Sequence, residues 1–162
     1  MSCSGEVVEK EPELIQIRPS IVKQLKKAKY GVADHSTVGL CHWTKKSFRG
    51  EGTCYKHKFY GISTHSCMEF SPAGMYCENR CVYCWRPMEF YDSMEMQPQN
   101  VAEPEDIMTK LMAERKKLIM GHYGDPNQDK KKLDESLLPN HYAISLSGEP
   151  TMYPKLPELI KY

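Results

Sequence analysis

Three cysteines within eight residues, Cys77-Glu78-Asn79-Arg80-Cys81-Val82-Tyr83-Cys84, constrain this chain more than anything else in it. Thiolates spaced C-x₃-C-x₂-C on one loop can wrap around one corner of a four-iron cubane. Three of them leave the fourth iron without a protein ligand. A fold that carries such a loop must anchor it between regular elements. The competing reading is a structural zinc site, which takes four ligands, and Cys67 or His65 would complete such a set.

Three more cysteines, Cys41, Cys54 and Cys67, stand thirteen positions apart. That interval matches neither a helix nor a strand. Either three loops bring these thiols to a common point, again leaving one corner of a cluster open, or they are buried and unligated. The chain has seven cysteines and no apolar leader in its first fourteen residues. In a reducing compartment thiols are better explained by metal than by disulfides. Cys3, near the polar amino terminus, is the odd one out. No apolar run approaches the roughly 18–20 residues needed to cross a bilayer, so a soluble, cytoplasmic, monomeric protein is expected.

Charge is balanced, with 22 Lys and Arg against 21 Asp and Glu, which gives no global case for a nucleic-acid partner. Between Arg18 and Arg49, however, lie eight cations and one anion, Asp34. Such a stripe suits phosphate or a solvated helix face equally.

Regular elements are expected around the cysteine loop. Ser20 is placed to cap a helix running to about Tyr30, with Gly31 as its stop. From there to about Cys67 the pattern reads as loops and short strands. Ser66 to Pro72 reads as a strand, and Pro104 opens a helix whose apolar residues Ile107, Met108, Leu111, Met112, Leu118 and Ile119 repeat at helical spacing. Asp129 to Leu138 is expected to be a second helix, and His141 to Leu146 a buried strand ending in Ser147-Gly148-Glu149-Pro150. This order is the start of a parallel βα array. A complete (β/α)₈ barrel takes about 250 residues, so an α/β fold holding only the first units of a barrel is expected. Residues 1–66 would form an irregular extension with most of the auxiliary cysteine loops, and residues 67–162 the barrel start.

With both triplets in view, the chain resembles the archaeal tRNA 4-demethylwyosine synthases, radical S-adenosylmethionine enzymes of wybutosine biosynthesis, from about Val38 to Pro154. The resemblance rests on Cys41, Cys54 and Cys67, on Cys77-x₃-Cys81-x₂-Cys84-Trp85-Arg86-Pro87, and on Ile144-Ser145-Leu146-Ser147-Gly148-Glu149-Pro150-Thr151. It implies two [4Fe–4S] clusters. The first, on Cys77, Cys81 and Cys84, would bind S-adenosyl-L-methionine at its open iron, with Tyr83 near the adenine and Gly148 and Glu149 receiving the methionyl amino group. The second, on Cys41, Cys54 and Cys67, would offer its open iron to pyruvate, and Lys56 matches the lysine proposed to form a Schiff base with it. Without the resemblance, Lys56 reads as a surface charge and the Gly-Glu pair as a common turn.

The implied reaction is a carbon–carbon lyase type of radical chemistry that joins a two-carbon unit of pyruvate to N1-methylguanosine beside the tRNA anticodon. No flavodoxin-like segment accompanies the motifs, so an external flavodoxin or ferredoxin type of electron donor is implied. The piece alone is not expected to be a competent catalyst. Arg86 suits a carboxylate, a tRNA phosphate or a packing role beside Trp85, and His35, His42, His57 and His65 read as polar loop residues. Two other readings stay open: a radical S-adenosylmethionine enzyme with an auxiliary cluster acting on a different substrate, and a non-catalytic iron–sulfur or zinc module that binds RNA.

Overall fold

Pro19 presets the first turn of helix α1 (Pro19–Lys27), and Ile21 and Leu25, four positions apart, form its buried stripe. Ser20 therefore lies inside the helix and does not cap it. Arg18 is the N-cap and makes no side-chain bond there. The residue that turns the chain afterwards is Lys29, in the left-handed region at φ 65°. Gly31 opens strand β1 (Gly31–Ala33), where a Cβ would stand 2.6 Å from Glu114 Cβ and 2.7 Å from Val38 Cγ1. Only glycine allows that approach. The structure, a computed structural model, describes residues 13–86 and 88–162. Cys3, most of the polar lead and Pro87 lie outside the described residues.

β1 forms a hairpin with β2 (Ser36–Gly39), and β2 pairs antiparallel with β3 (Cys67–Ser71). β3 pairs parallel with β4 (His141–Ile144), which completes a sheet of order β1-β2-β3-β4. Residues on either side of position 66 thus share one sheet. The two-residue period of β3 buries Met68 and Phe70 on the core face and turns Cys67 and Glu69 to the other. β4 ends two residues short of the expected strand and lies at the sheet edge, with Tyr142 53% exposed. Ser145 and Leu146 nonetheless donate their backbone N–H groups to the Phe70 carbonyl, at 3.0 and 3.4 Å.

The crossover from β3 to β4 runs through two helices. Pro104 sits in the first turn of the long one, separated from β4 by a shorter helix whose cap is Asp129. Between β2 and β3 in chain order, the segment expected to be irregular contains α2 (His42–Phe48) and α3 (Tyr55–Tyr60). α2 buries Thr44, Ser47 and Phe48, and α3 buries nothing, so neither carries an apolar period for sequence reading to detect. The long crossover helix is α4 (Pro104–Met120), burying Ile107, Met108, Leu111 and Ile119 as its spacing predicts. The shorter is α5 (Lys130–Ser136), where the Asp129 carboxylate accepts from the Lys132 N–H at 3.2 Å. α6 (Leu156–Lys161) follows β4 and seats Leu159 in the main core.

Two buried polar side chains pin these layers. His35, at the hairpin turn, is fully buried; its Nε2 accepts from the Ala102 N–H at 2.9 Å, so its Nδ1 carries the proton and donates to the Pro72 carbonyl at 2.6 Å. Arg115 of α4 is also buried and donates to the carbonyls of Ser136, His65 and Cys67, the last at 3.3 Å. Burial pushes this guanidinium down to about 10. Among the described residues no helix is long and apolar enough to cross a membrane.

Candidate cluster and cofactor site

The loop after β3 is closed at its base before it reaches the cysteines. The Cys77 N–H donates to the Asp92 carbonyl at 3.0 Å, and the Asp92 N–H returns to Met75 at 2.9 Å. Within the loop, Arg80 is left-handed at φ 41°, and the Cys84 N–H donates to the Cys81 carbonyl at 3.0 Å. These turns aim Cys77, Cys81 and Cys84 into one cavity of about 350 Å³ whose opposite wall is the segment from Ser145 to Glu149. The loop expected to follow β4 and the cysteine loop thus face each other.

Gly148 fixes that opposition. Its backbone is left-handed at φ 67°, and a Cβ there would lie 1.8 Å from the Ala73 carbonyl oxygen. Its N–H donates to the Tyr91 hydroxyl at 3.2 Å, and the Glu149 N–H donates to the Tyr76 carbonyl at 2.8 Å. Ser147 adds a side-chain bond to the Gly74 carbonyl and lies 3.0 Å from the Thr37 hydroxyl. One Glu149 oxygen accepts from the N–H and hydroxyl of Thr151, and the other accepts from the Asn79 amide at 3.2 Å.

The aromatic residues of this cavity differ in setting. Tyr83 is 83% exposed, which excludes a core role for it. The Cys81 thiol beside its hydroxyl pushes the phenol up. Tyr91 is half-buried, and burial pushes its phenol up against the Gly148 N–H, with Cys84 and Cys77 adding to the rise. Arg86 lies 3.6 Å over the Trp85 ring and 5.5 Å from that of Tyr30, and burial lowers its pKa.

The second triplet is assembled by hydroxyls. Cys41 is the N-cap of α2, where its Sγ accepts from the Thr44 N–H at 3.4 Å. The Thr44 hydroxyl donates to the Thr64 carbonyl at 3.2 Å, and the Thr64 hydroxyl donates to Cys54 Sγ at 3.6 Å. Burial would push the Cys54 thiol up. That hydroxyl, the N–H groups of His57 and Lys56 and the Lys56 charge outweigh it and hold the thiol below its ordinary value. Burial pushes the Cys67 thiol up, opposed by Lys56 and reinforced by the nearby Cys41 and Cys54. Cys41, Cys54, Cys67 and Lys56 are therefore one electrostatic neighbourhood.

A second cavity of about 460 Å³ opens beside Cys41, and it shares Glu69, Trp85, Arg86 and Leu146 with the first. The first triplet and Cys41 thus flank a common wall. Glu69 is the wall's carboxylate: burial pushes it up, and Lys56, Lys45 and Ser145 hold it down. Sequence reading missed Glu69, Tyr91 and Ser147. The strand period that sets Glu69 on the same face as Cys67 was the one signal available for it.

The rings of three histidines near the second triplet make contacts of their own. His65 bonds Glu135 at 2.7 Å, His57 bonds the Ile62 carbonyl at 3.1 Å, and His42 packs edge-on against Trp43. Among the described residues no three His, Cys, Asp or Glu side chains are drawn close enough to share a single metal ion. The first cavity's described lining offers three thiols and no further thiol or imidazole. Cys67 and His65, the expected fourth ligands of a zinc site, do not line it, and the three thiols fit a cluster with one open corner.

No family model matches the chain. It is 45% identical over 130 residues to the S-adenosyl-L-methionine-dependent tRNA 4-demethylwyosine synthase of Pyrococcus abyssi, covering 80% of this chain and 38% of that protein. The synthase of the same name from Methanocaldococcus jannaschii is 42% identical over 149 residues, covering 90% of this chain and 48% of the relative. A solved structure of TYW1 with a lysine-pyruvate adduct bound superposes with a TM-score of 0.77 at 42% identity, over 90% of this chain and 47% of that one. The chain spans less than half the length of each of these relatives. Over the part of those proteins that it spans, the chain is a homologue of the tRNA 4-demethylwyosine synthases.

Proposed function

We propose that this chain carries the cluster-binding and cofactor-binding part of a radical S-adenosylmethionine enzyme that joins N1-methylguanosine of tRNA to a two-carbon unit of pyruvate, giving 4-demethylwyosine. The observation that carries the reading is the shared wall: the cavity of Cys77, Cys81 and Cys84 and the cavity beside Cys41 meet across Glu69, Trp85, Arg86 and Leu146 in a chain with this homology. The β3–α4–β4 crossover is then the first unit of a barrel-like array, with residues 1–66 as its extension. An external donor supplies electrons, and the protein works as a cytoplasmic monomer.

In this reading Cys77, Cys81 and Cys84 hold one [4Fe–4S] cluster, and Cys41, Cys54 and Cys67 hold another. The chemistry that the first cluster supplies with S-adenosyl-L-methionine is reductive cleavage of the sulfonium, which yields a carbon radical able to abstract hydrogen. The chain's own groups do the positioning. Glu149, braced by Asn79 and Thr151, accepts from the methionyl ammonium, and Gly148 lets this loop seat against the Ala73 carbonyl beside the cofactor. Tyr83, exposed at the loop tip, is free to cover an adenine. The Lys56 amine adds to the pyruvate ketone and loses water to form an imine, which fixes the substrate beside the second triplet.

Borohydride trapping tests the pyruvate half of this directly. After anaerobic reconstitution and incubation with pyruvate, reduction should leave a carboxyethyl group on the peptide that contains Lys56. An unmodified Lys56, or indiscriminate labelling of surface lysines, would overturn the assignment of pyruvate to this chain.

A further inference from the structure

α3 is a helix without a core. None of its residues is buried, and it reads Tyr55-Lys56-His57-Lys58-Phe59-Tyr60 with no carboxylate within it. Tyr55 is 61% exposed, Phe59 76% and Tyr60 73%, which are unusual settings for three large rings in six residues. The Phe59 and Tyr60 rings lie 6.5 Å apart at 58°, so they do not cover each other's faces. Phe59 and Tyr60 are three and four positions beyond Lys56 and share its side of the helix. Lys56 in turn stands two positions after Cys54, the N-cap of the helix.

Resting on the tRNA reading proposed above, we infer that Phe59 and Tyr60 are a stacking platform for unpaired bases of an RNA loop, placed to steer the reacting nucleotide toward Lys56. A purely apolar protein partner would have to bury the lysine charges of a helix that carries no carboxylate of its own, which is costly. Single-stranded RNA offers what the helix lacks: phosphates for the lysines and π-faces for the rings. Stacking on rings tolerates any base, which leaves selection of the methylated guanosine to the site beyond the platform.

The test is the affinity of the reconstituted full chain for an anticodon stem-loop RNA, against a blunt duplex of the same stem. Phe59→Ala and Tyr60→Ala should each weaken stem-loop binding by about tenfold and leave duplex binding unchanged. Phe59→Leu, which keeps the apolar surface but loses the ring, should bind no better than Phe59→Ala, whereas Tyr60→Phe should bind like the parent. Both side chains are exposed, so thermal midpoints should hardly move. Parental affinity in the alanine variants, or rescue by leucine, overturns the platform. A change of oligomeric state in place of RNA affinity overturns it in favour of a protein interface. Failure of the parent chain to bind the stem-loop at all would instead remove the tRNA reading on which the platform rests.

Discussion

The Asn79 amide stands 3.2 Å from a Glu149 oxygen, and this bond fastens the loop carrying Cys77, Cys81 and Cys84 to the loop that follows β4. The same Glu149 receives both donors of Thr151 through its other oxygen. The carboxylate proposed to greet the cofactor is therefore oriented in advance by its own chain, from both sides of the cavity.

Gly148→Ala tests how tightly those loops are joined. The new methyl would meet the Ala73 carbonyl at 1.8 Å on a left-handed backbone, so the 145–149 segment must withdraw from the cysteine loop. A loss of at least about 1 kcal/mol is expected in urea denaturation, with weakened S-adenosyl-L-methionine binding. Parental stability in this variant would mean that the loops are not in contact.

Arg115→Met keeps much of the side-chain volume and removes the donors to Ser136, His65 and Cys67. Three carbonyls lose a charged partner in a buried setting, and a loss of roughly 3 kcal/mol should follow. Equilibrium urea unfolding measures it. A near-neutral result would indicate that water replaces the guanidinium.

His35 makes stability depend on pH. Burial lowers its pKa below 6.5, and both ring nitrogens are committed to the neutral form by Pro72 and Ala102. The unfolded chain therefore binds a proton that the folded chain resists. This contribution is fully present above about pH 6.5 and is lost as pH falls from there toward the depressed folded value. His122, also lowered by burial, acts in the same direction. The urea midpoint should fall as pH drops from about 7.5 to about 5. It should fall less in His35→Gln, and a flat parental profile would contradict the account.

Lys56→Met removes the amine and leaves both cysteine triplets in place. Iron and sulfide content should stay at the parental level while pyruvate trapping disappears. Trapping that persists in the variant would move the imine to another lysine.

Much of this molecule was legible in its sequence where the signal was local. Pro104 and the apolar repeat from Ile107 to Ile119 foretold α4, and the stretches expected as a helix from Asp129 to Leu138 and as a strand from Ser66 to Pro72 contain α5 and β3. The spacing of Cys77, Cys81 and Cys84 and the Gly148-Glu149 pair named residues that line one cavity, and Cys41 lines its neighbour. What escaped depends on distant partners. His35 looks like a loop histidine until Pro72 and Ala102 close on it. Tyr91 gains meaning only from the Gly148 N–H 57 positions away. α3 has no buried face and hence no period to read.

Low-temperature electron paramagnetic resonance of the reduced, anaerobically reconstituted chain, recorded with and without S-adenosyl-L-methionine, probes the central claim most directly. The account predicts a four-iron signal whose shape changes when the sulfonium is added, and whose change is lost in Cys81→Ala. A spectrum indifferent to the addition, or a protein that takes up zinc and no sulfide, would contradict it.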